Sequence, residues 1–178
     1  MTPIEATNAF VVLRAHKEEQ ARKASIAGYR TAGVFSTPVP LLPWGNDWTK
    51  KLFDGPFYGT VNHKDESLPA VSVVFVQSAD GNTDTASGNP GDLQGGATDL
   101  HLIYEGLSRV RADAVLAGAN TIRGANLVLS CWHPELVKLR RGLGKPIHPK
   151  QIVVSGSGNI DLENELMFNL TDIPAIII

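Results

Sequence analysis

Three short apolar runs separated by stretches of helical spacing constrain the fold of this chain more than any other feature. They are Val71–Gln77 (VSVVFVQ), Ala114–Gly118 (AVLAG) and Gln151–Ser155 (QIVVS). Runs of this length without polar alternation suit strands covered on both faces, as in a parallel sheet. Between the first two lies a glycine-rich loop over residues 84–97, then a predicted helix from Thr98 with Leu100, Ile103, Leu107 and Val110 on one face. Between the last two, His133–Arg141 is predicted as a short helix with Pro134 in its first turn. Strand–helix–strand order predicts an α/β fold, a mainly parallel sheet flanked by helices. The closing Ile173–Ile178 (IPAIII) reads as one more buried strand. Chain ends are usually polar, so the expectation is a piece of a longer protein, with the sheet incomplete at the C-terminus.

Ahead of the first run the pattern differs. Thr2-Pro3-Ile4-Glu5 is a capping box with proline at the first helical position, and Glu18/Arg22 and Glu19/Lys23 are favourable i,i+4 pairs. A helix over residues 3–26, stopped near Gly28 and mostly solvated beyond Arg14, is predicted. Residues 36–69 carry five prolines, Pro38, Pro40, Pro43, Pro56 and Pro69, which argues against regular structure. Trp44, Trp48, Phe53, Phe57 and Tyr58 make the same stretch too apolar for a free linker. It reads as an arm packing on the main domain or on a second subunit. The expected division is therefore residues 1–67, helix and arm, and residues 68–178, the α/β domain.

The bulk numbers narrow the function classes. A net charge of −2 gives no electrostatic case for nucleic acid or an anionic membrane. No apolar run reaches the roughly 18–20 residues of a membrane span, and no signal-peptide core is present. Cys131 is the single cysteine, which fits a reducing compartment, so a cytoplasmic location is expected.

Ligands of open α/β sheets gather beyond the carboxyl ends of strands, and two such ends are chemically equipped. One is Ser78-Ala79-Asp80-Gly81, either an ordinary Asp-Gly turn or a carboxylate held at a sheet edge, where partial desolvation raises its pKa toward acid–base work. The other is Gly118-Ala119-Asn120-Thr121-Ile122-Arg123-Gly124, whose small residues let backbone N–H groups approach phosphate or ribose, or simply form a loop and cap. Arg109 and Arg111 close the Thr98 helix, either complementing its negative end or binding phosphate. His133-Pro134-Glu135 matches half of a zinc-deaminase signature, but no P-C-x-x-C follows, so a metal is not expected.

Taken in order, FVQSADGNT, ASG (Ala86-Ser87-Gly88), LSRVRADAVLAGANTIRG and QIVVS resemble the reductase domain of riboflavin biosynthesis over residues 68–178. That family has a dihydrofolate-reductase-like fold, and its members are commonly homodimers. The resemblance implies an oxidoreductase that uses NADPH to reduce 5-amino-6-(5-phosphoribosylamino)uracil to its ribitylamino product. It implies Asp80 as the catalytic carboxylate and Ser78, Ser87, Gly88 and Arg109 as substrate-binding residues, Arg109 taking the phosphate. It places Gly118, Asn120, Thr121 and Ser155 around the cofactor. Val74 stands where bifunctional members often carry lysine, and Ala125 where they often carry aspartate. Arg123, Arg140, Arg141 and Lys145 are alternative sources of a phosphate contact. Two other readings stay open: a relative acting on another pteridine-like or carbonyl substrate, and a non-catalytic binding or dimerisation module.

Overall fold

The computed structural model describes residues 1–24, 41–53, 57–60, 67–75, 77–78, 80–82, 96–123 and 126–178. The chain divides into two compact units, Met1–Ala24 with Gln94–Ile178, and Ser25–Leu93. The N-terminal helix thus belongs to the unit that holds the sheet, and position 67/68 falls inside the other unit.

Helix α1 spans Pro3–Arg22. Its capping box is formed as the sequence predicts. The Thr2 hydroxyl accepts from the Glu5 N–H at 3.3 Å, and the Glu5 carboxylate accepts from the Thr2 N–H at 2.7 Å. The helix ends at Arg22, four residues short of the expected position, where the Lys23 N–H already turns back to the Gln20 and Ala21 carbonyls. Gly28 lies outside the described residues.

Three corrections concern the chain that follows. Residues 36–69 were expected to be irregular, yet they contain strand β1 (Leu41–Trp44), helix α2 (Asp47–Phe53) and strand β2 (Phe57–Thr60). β1 and β2 pair antiparallel, with Pro43 opposite Tyr58. A two-stranded sheet leaves each strand an outer edge, where a missing N–H is tolerated. Asn46 starts α2 by a reciprocal cap. Its Oδ1 accepts from the Thr49 N–H at 3.0 Å, while the Thr49 hydroxyl oxygen accepts from the Asn46 N–H at 2.9 Å.

The second correction is larger. Val71–Gln77 was expected as a strand buried on both faces, but residues 71–75 pair with no strand among the described residues. Val71, Val73 and Phe75 are exposed. An apolar run becomes a strand only where another edge satisfies its backbone.

The sheet of the first unit is parallel and three-stranded, in the order β3 (Ala114–Gly118), β4 (Lys150–Val154), β5 (Ala175–Ile177). The chain is therefore an α/β protein with a parallel sheet. Ala117, Val153 and Ile177 lie in register and turn toward the core, which also holds Ala119, Ile122, Val128, Trp132, Leu166, Met167 and Ile173. Leu116, Ile152 and Ile176 share a row on the opposite face, and there Leu116 is 60% and Ile176 48% exposed. AVLAG and IPAIII, expected to be buried throughout, are covered on one side by the described residues. The physical reason is chirality. Right-handed crossovers running the same way across β3, β4 and β5 place their connections on the same face.

The third correction concerns the helix after Thr98. It opens as a π-helical turn over Asp99–Tyr104 and continues as α3 (Glu105–Arg109). The Glu105 N–H bonds back to Leu100, five residues earlier. Of the expected stripe Val110 is buried, Leu100 and Ile103 are half-buried and Leu107 is exposed, while His101, Leu102, Glu105 and Arg109 are buried as well.

After the one-turn helix α4 (Ala119–Ile122), helix α5 (Pro134–Gly142) matches its prediction within a residue at each end. The His133 Nδ1 caps it by accepting from the Glu135 N–H at 3.3 Å. Gly144, at φ 72°, ends it, with Lys145 N–H on the Arg140 carbonyl and Gly144 N–H on that of Arg141.

Candidate functional site

The sequence-predicted residues divide between the two units. Gly118, Asn120, Thr121, Ser155 and Arg109 lie in the first, and Ser78 and Asp80 in the second. Ser87 and Gly88 lie outside the described residues.

In the second unit the Ser78–Asn82 turn is closed from both sides. The Gly81 N–H reaches the Ser78 carbonyl at 3.0 Å, and the Ser78 N–H reaches the Asn82 carbonyl at 2.9 Å. Gly81 sits at φ 90°, a conformation that a side chain would strain. Asp80 accepts from the Ser78 hydroxyl and, at 2.8 Å, from the Asn82 side-chain amide. The Ser78 bond first, and then those from Asn82, hold its carboxyl below the ordinary aspartate range. The expectation of a raised pKa at a desolvated strand end is corrected accordingly. The residue is exposed and carries its negative charge through the neutral range.

In the first unit the carboxyl ends of β3 and β4 stand side by side, with Gly118 in register with Val154. This brings Gly118, Asn120 and Thr121 to the same sheet edge as Ser155. Gly118, Asn120 and Thr121 are exposed, and a Cβ on Gly118 would meet nothing within 4 Å. The Ser155 hydroxyl accepts from the Gly158 N–H at 3.0 Å. The Arg123 guanidinium bridges this edge, donating to the Asn120 side chain and to the Asn159 carbonyl at 3.1 Å. Beside it is an open cleft of about 390 Å³ lined by Arg123, Asn126, Asn159, Asp161, Asn164 and Glu165. Donors and acceptors there are mixed, which suits hydroxyls better than a bare polyanion.

Arg109 sits elsewhere in this unit, 7% exposed. Its Nη1 donates to the Glu105 carboxylate at 3.2 Å and to the Ser130 carbonyl at 2.6 Å, and its guanidinium carbon lies 5.4 Å from the centre of the Tyr104 ring. Its Nε is buried without a partner. Glu105 is the hub that sequence reasoning missed. Oε1 also meets the His101 Nδ1 at 3.1 Å, and Oε2 accepts from the Trp132 N–H at 3.0 Å. The i,i+4 spacing of His101, Glu105 and Arg109 was the available signal.

Of the other proposed phosphate contacts, Arg140 and Lys145 are engaged too, while Arg141 is exposed. Arg140 is fully buried, its Nη1 donating to the carbonyls of Arg109, Val110 and Ala112 at 2.6–3.0 Å. Those are carbonyls at and just beyond the C-terminal end of α3, which the cation complements. Lys145 pairs with Asp113 at 2.5 Å.

Cys131, beside this network, is 1% exposed, and burial pushes its thiol up to about 12. Among the described residues no group of three or more His, Cys, Asp or Glu side chains could hold a metal ion. No helix among them is long and apolar enough to cross a membrane. Comparison with protein-family models, curated proteins and solved structures finds no match to this chain.

Proposed function

We propose that the chain is an NADPH-dependent reductase of the riboflavin-pathway type, with a dihydrofolate-reductase-like sheet, acting on 5-amino-6-(5-phosphoribosylamino)uracil. The observation that carries the reading is the shared edge of β3 and β4, where Gly118, Asn120, Thr121 and Ser155 stand together in the order that the resemblance requires. The chemistry of that edge fits a dinucleotide. Exposed small residues leave room for the backbone to approach phosphate, and hydroxyl and amide side chains suit ribose.

When bound, NADPH supplies the hydride that reduces C1 of the ring-opened sugar, so the protein's part is binding and orientation. Thr121 and Ser155 would hold the ribose–phosphate portion, and Asn120 is fixed for that task by Arg123. Asp80, held ionised by Ser78 and Asn82, is suited to accept a hydrogen bond from a substrate rather than to donate a proton.

Replacing Asp80 by Asn should lower kcat by roughly 10- to 100-fold, the worth of one hydrogen bond to a charged group, while leaving NADPH affinity unchanged. Unchanged turnover would remove Asp80 from the reaction. Absence of saturable NADPH binding in a fluorescence titration would remove the whole reading.

One observation favours a second substrate class within the same chemistry. The Arg109 guanidinium is buried and bonded to Glu105 and Ser130, which is poor placement for a substrate phosphate. A carbonyl or pteridine-like substrate lacking phosphate needs no such contact. Assaying the phosphorylated and dephosphorylated substrates side by side separates the two.

A further inference from the structure

We propose that α1 is a strap on the first unit, released by acid through protonation of His148. The helix is held by a small patch. Its buried residues are Ala6 and Ala21, and Met1, Ala9, Phe10 and Leu13 are only partly covered, while Ile4, Val11 and Val12 are exposed. Phe10 provides the largest ring in that patch. It meets His148 edge-on at 5.4 Å, with Trp132 6.4 Å from Phe10 and 5.9 Å from His148. The imidazole therefore forms part of the floor on which the strap lies.

His148 is suited to this floor only while neutral. Its Nδ1 is 2.7 Å from the Ser130 hydroxyl, which can donate to an unprotonated nitrogen. The charged groups acting on the ring are Arg14 and Glu18 from α1 and Arg140 from α5. Glu18, the one anion among them, is already paired with Arg14 at 2.7 Å and Arg22 at 3.6 Å. A proton on the ring thus adds a cation beside two arginines under an aromatic lid.

Burial first, then Arg14 and Arg140, lower the ring from 6.5 to about 4 while the strap is down. Release removes Arg14 and the helix's share of that burial, so the ring recovers toward 6.5, and linkage raises the ratio of released to docked helix by up to about 30-fold between pH 7.5 and pH 5. In sequence α1 leads into the second unit at Ser25, so release frees one of that unit's two chain connections to the first.

Hydrogen exchange of the full chain tests this. A detached helix of this length is marginal in water, so the protection factors of the 3–22 amides report docking. They should fall several-fold, and by at most about 30-fold, from pH 7.5 to pH 5 in the wild type and stay level in His148→Asn, which keeps an acceptor for Ser130 but cannot be protonated. Level protection in the wild type, or an equal fall in the variant, overturns the proposal. Should His148→Asn not dock α1 even at pH 7.5, the His148 ring titration followed by NMR decides. It should move from about 4 in the wild type toward 6.5 in Phe10→Ala, and identical titrations in the two proteins overturn the proposal.

Discussion

Replacing Glu105 by Gln should destabilise the first unit by about 3–5 kcal/mol, because the change strands a buried cation while barely altering shape. The carboxylate is 2% exposed and serves three donors, on His101, Arg109 and Trp132. A glutamine amide has one acceptor oxygen. If that oxygen faces His101 and Arg109, its NH₂ points at the Trp132 N–H, and flipping it moves the clash to the other side. One buried donor is then unsatisfied in either rotamer, at about 1–3 kcal/mol. The Arg109 guanidinium also loses its counter-charge at 3.2 Å, an attraction of about 5 kcal/mol at an effective dielectric near 20. Desolvation of the pair offsets part of that, which leaves the stated range. Urea unfolding of Glu105→Gln, Arg109→Met and the double variant gives the measurement. The double variant should be less destabilised than the sum of the singles by about 2 kcal/mol or more. A loss below about 1 kcal/mol in Glu105→Gln with unchanged m, or a coupling near zero, would refute the reasoning.

Arg140→Lys should cost about 2–4 kcal/mol by thermal or urea unfolding, since an ammonium cannot reach the Arg109, Val110 and Ala112 carbonyls together. With its thiol pushed up to about 12, Cys131 should resist a thiol reagent in the native protein at pH 8 and react fully once unfolded. Rapid native labelling would show that the 130–132 segment opens. Thr2→Ala should lower stability by about 1 kcal/mol through loss of the α1 cap, read as a reduced urea midpoint.

The sequence rendered best what local chemistry decides alone. Thr2-Pro3-Ile4-Glu5 and His133-Pro134-Glu135 each start a helix where expected, because a cap involves atoms only two or three residues apart. AVLAG and QIVVS became neighbouring parallel strands, as their order around a crossover requires. Val71–Phe75 failed for the opposite reason. Its apolar side chains are necessary for a buried strand but say nothing of which edge would pair with it. The site divides the same way. Exposed Gly118, Asn120 and Thr121 were legible as a strand-end loop, whereas the burial of Arg109 was not. Its fate depends on the Ser130 carbonyl, 21 positions later, which no local pattern anticipates.

The same helix sets where the polar network lies. His101, Glu105 and Arg109 recur at i,i+4 and are buried together with Leu102 and Val110. Such a row requires partners, and the 130–132 segment provides them through the Ser130 carbonyl and the Trp132 N–H. Trp132 and Ser130 are in turn the residues on which His148 rests, by ring contact and by hydrogen bond. Glu105 and His148 therefore act on one short segment. Loss of the Glu105 carboxylate should loosen Trp132 and weaken α1 docking even at neutral pH. Exchange of the 3–22 amides in Glu105→Gln at pH 7.5 measures that coupling, and wild-type protection there would show that Glu105 and His148 act on the segment independently.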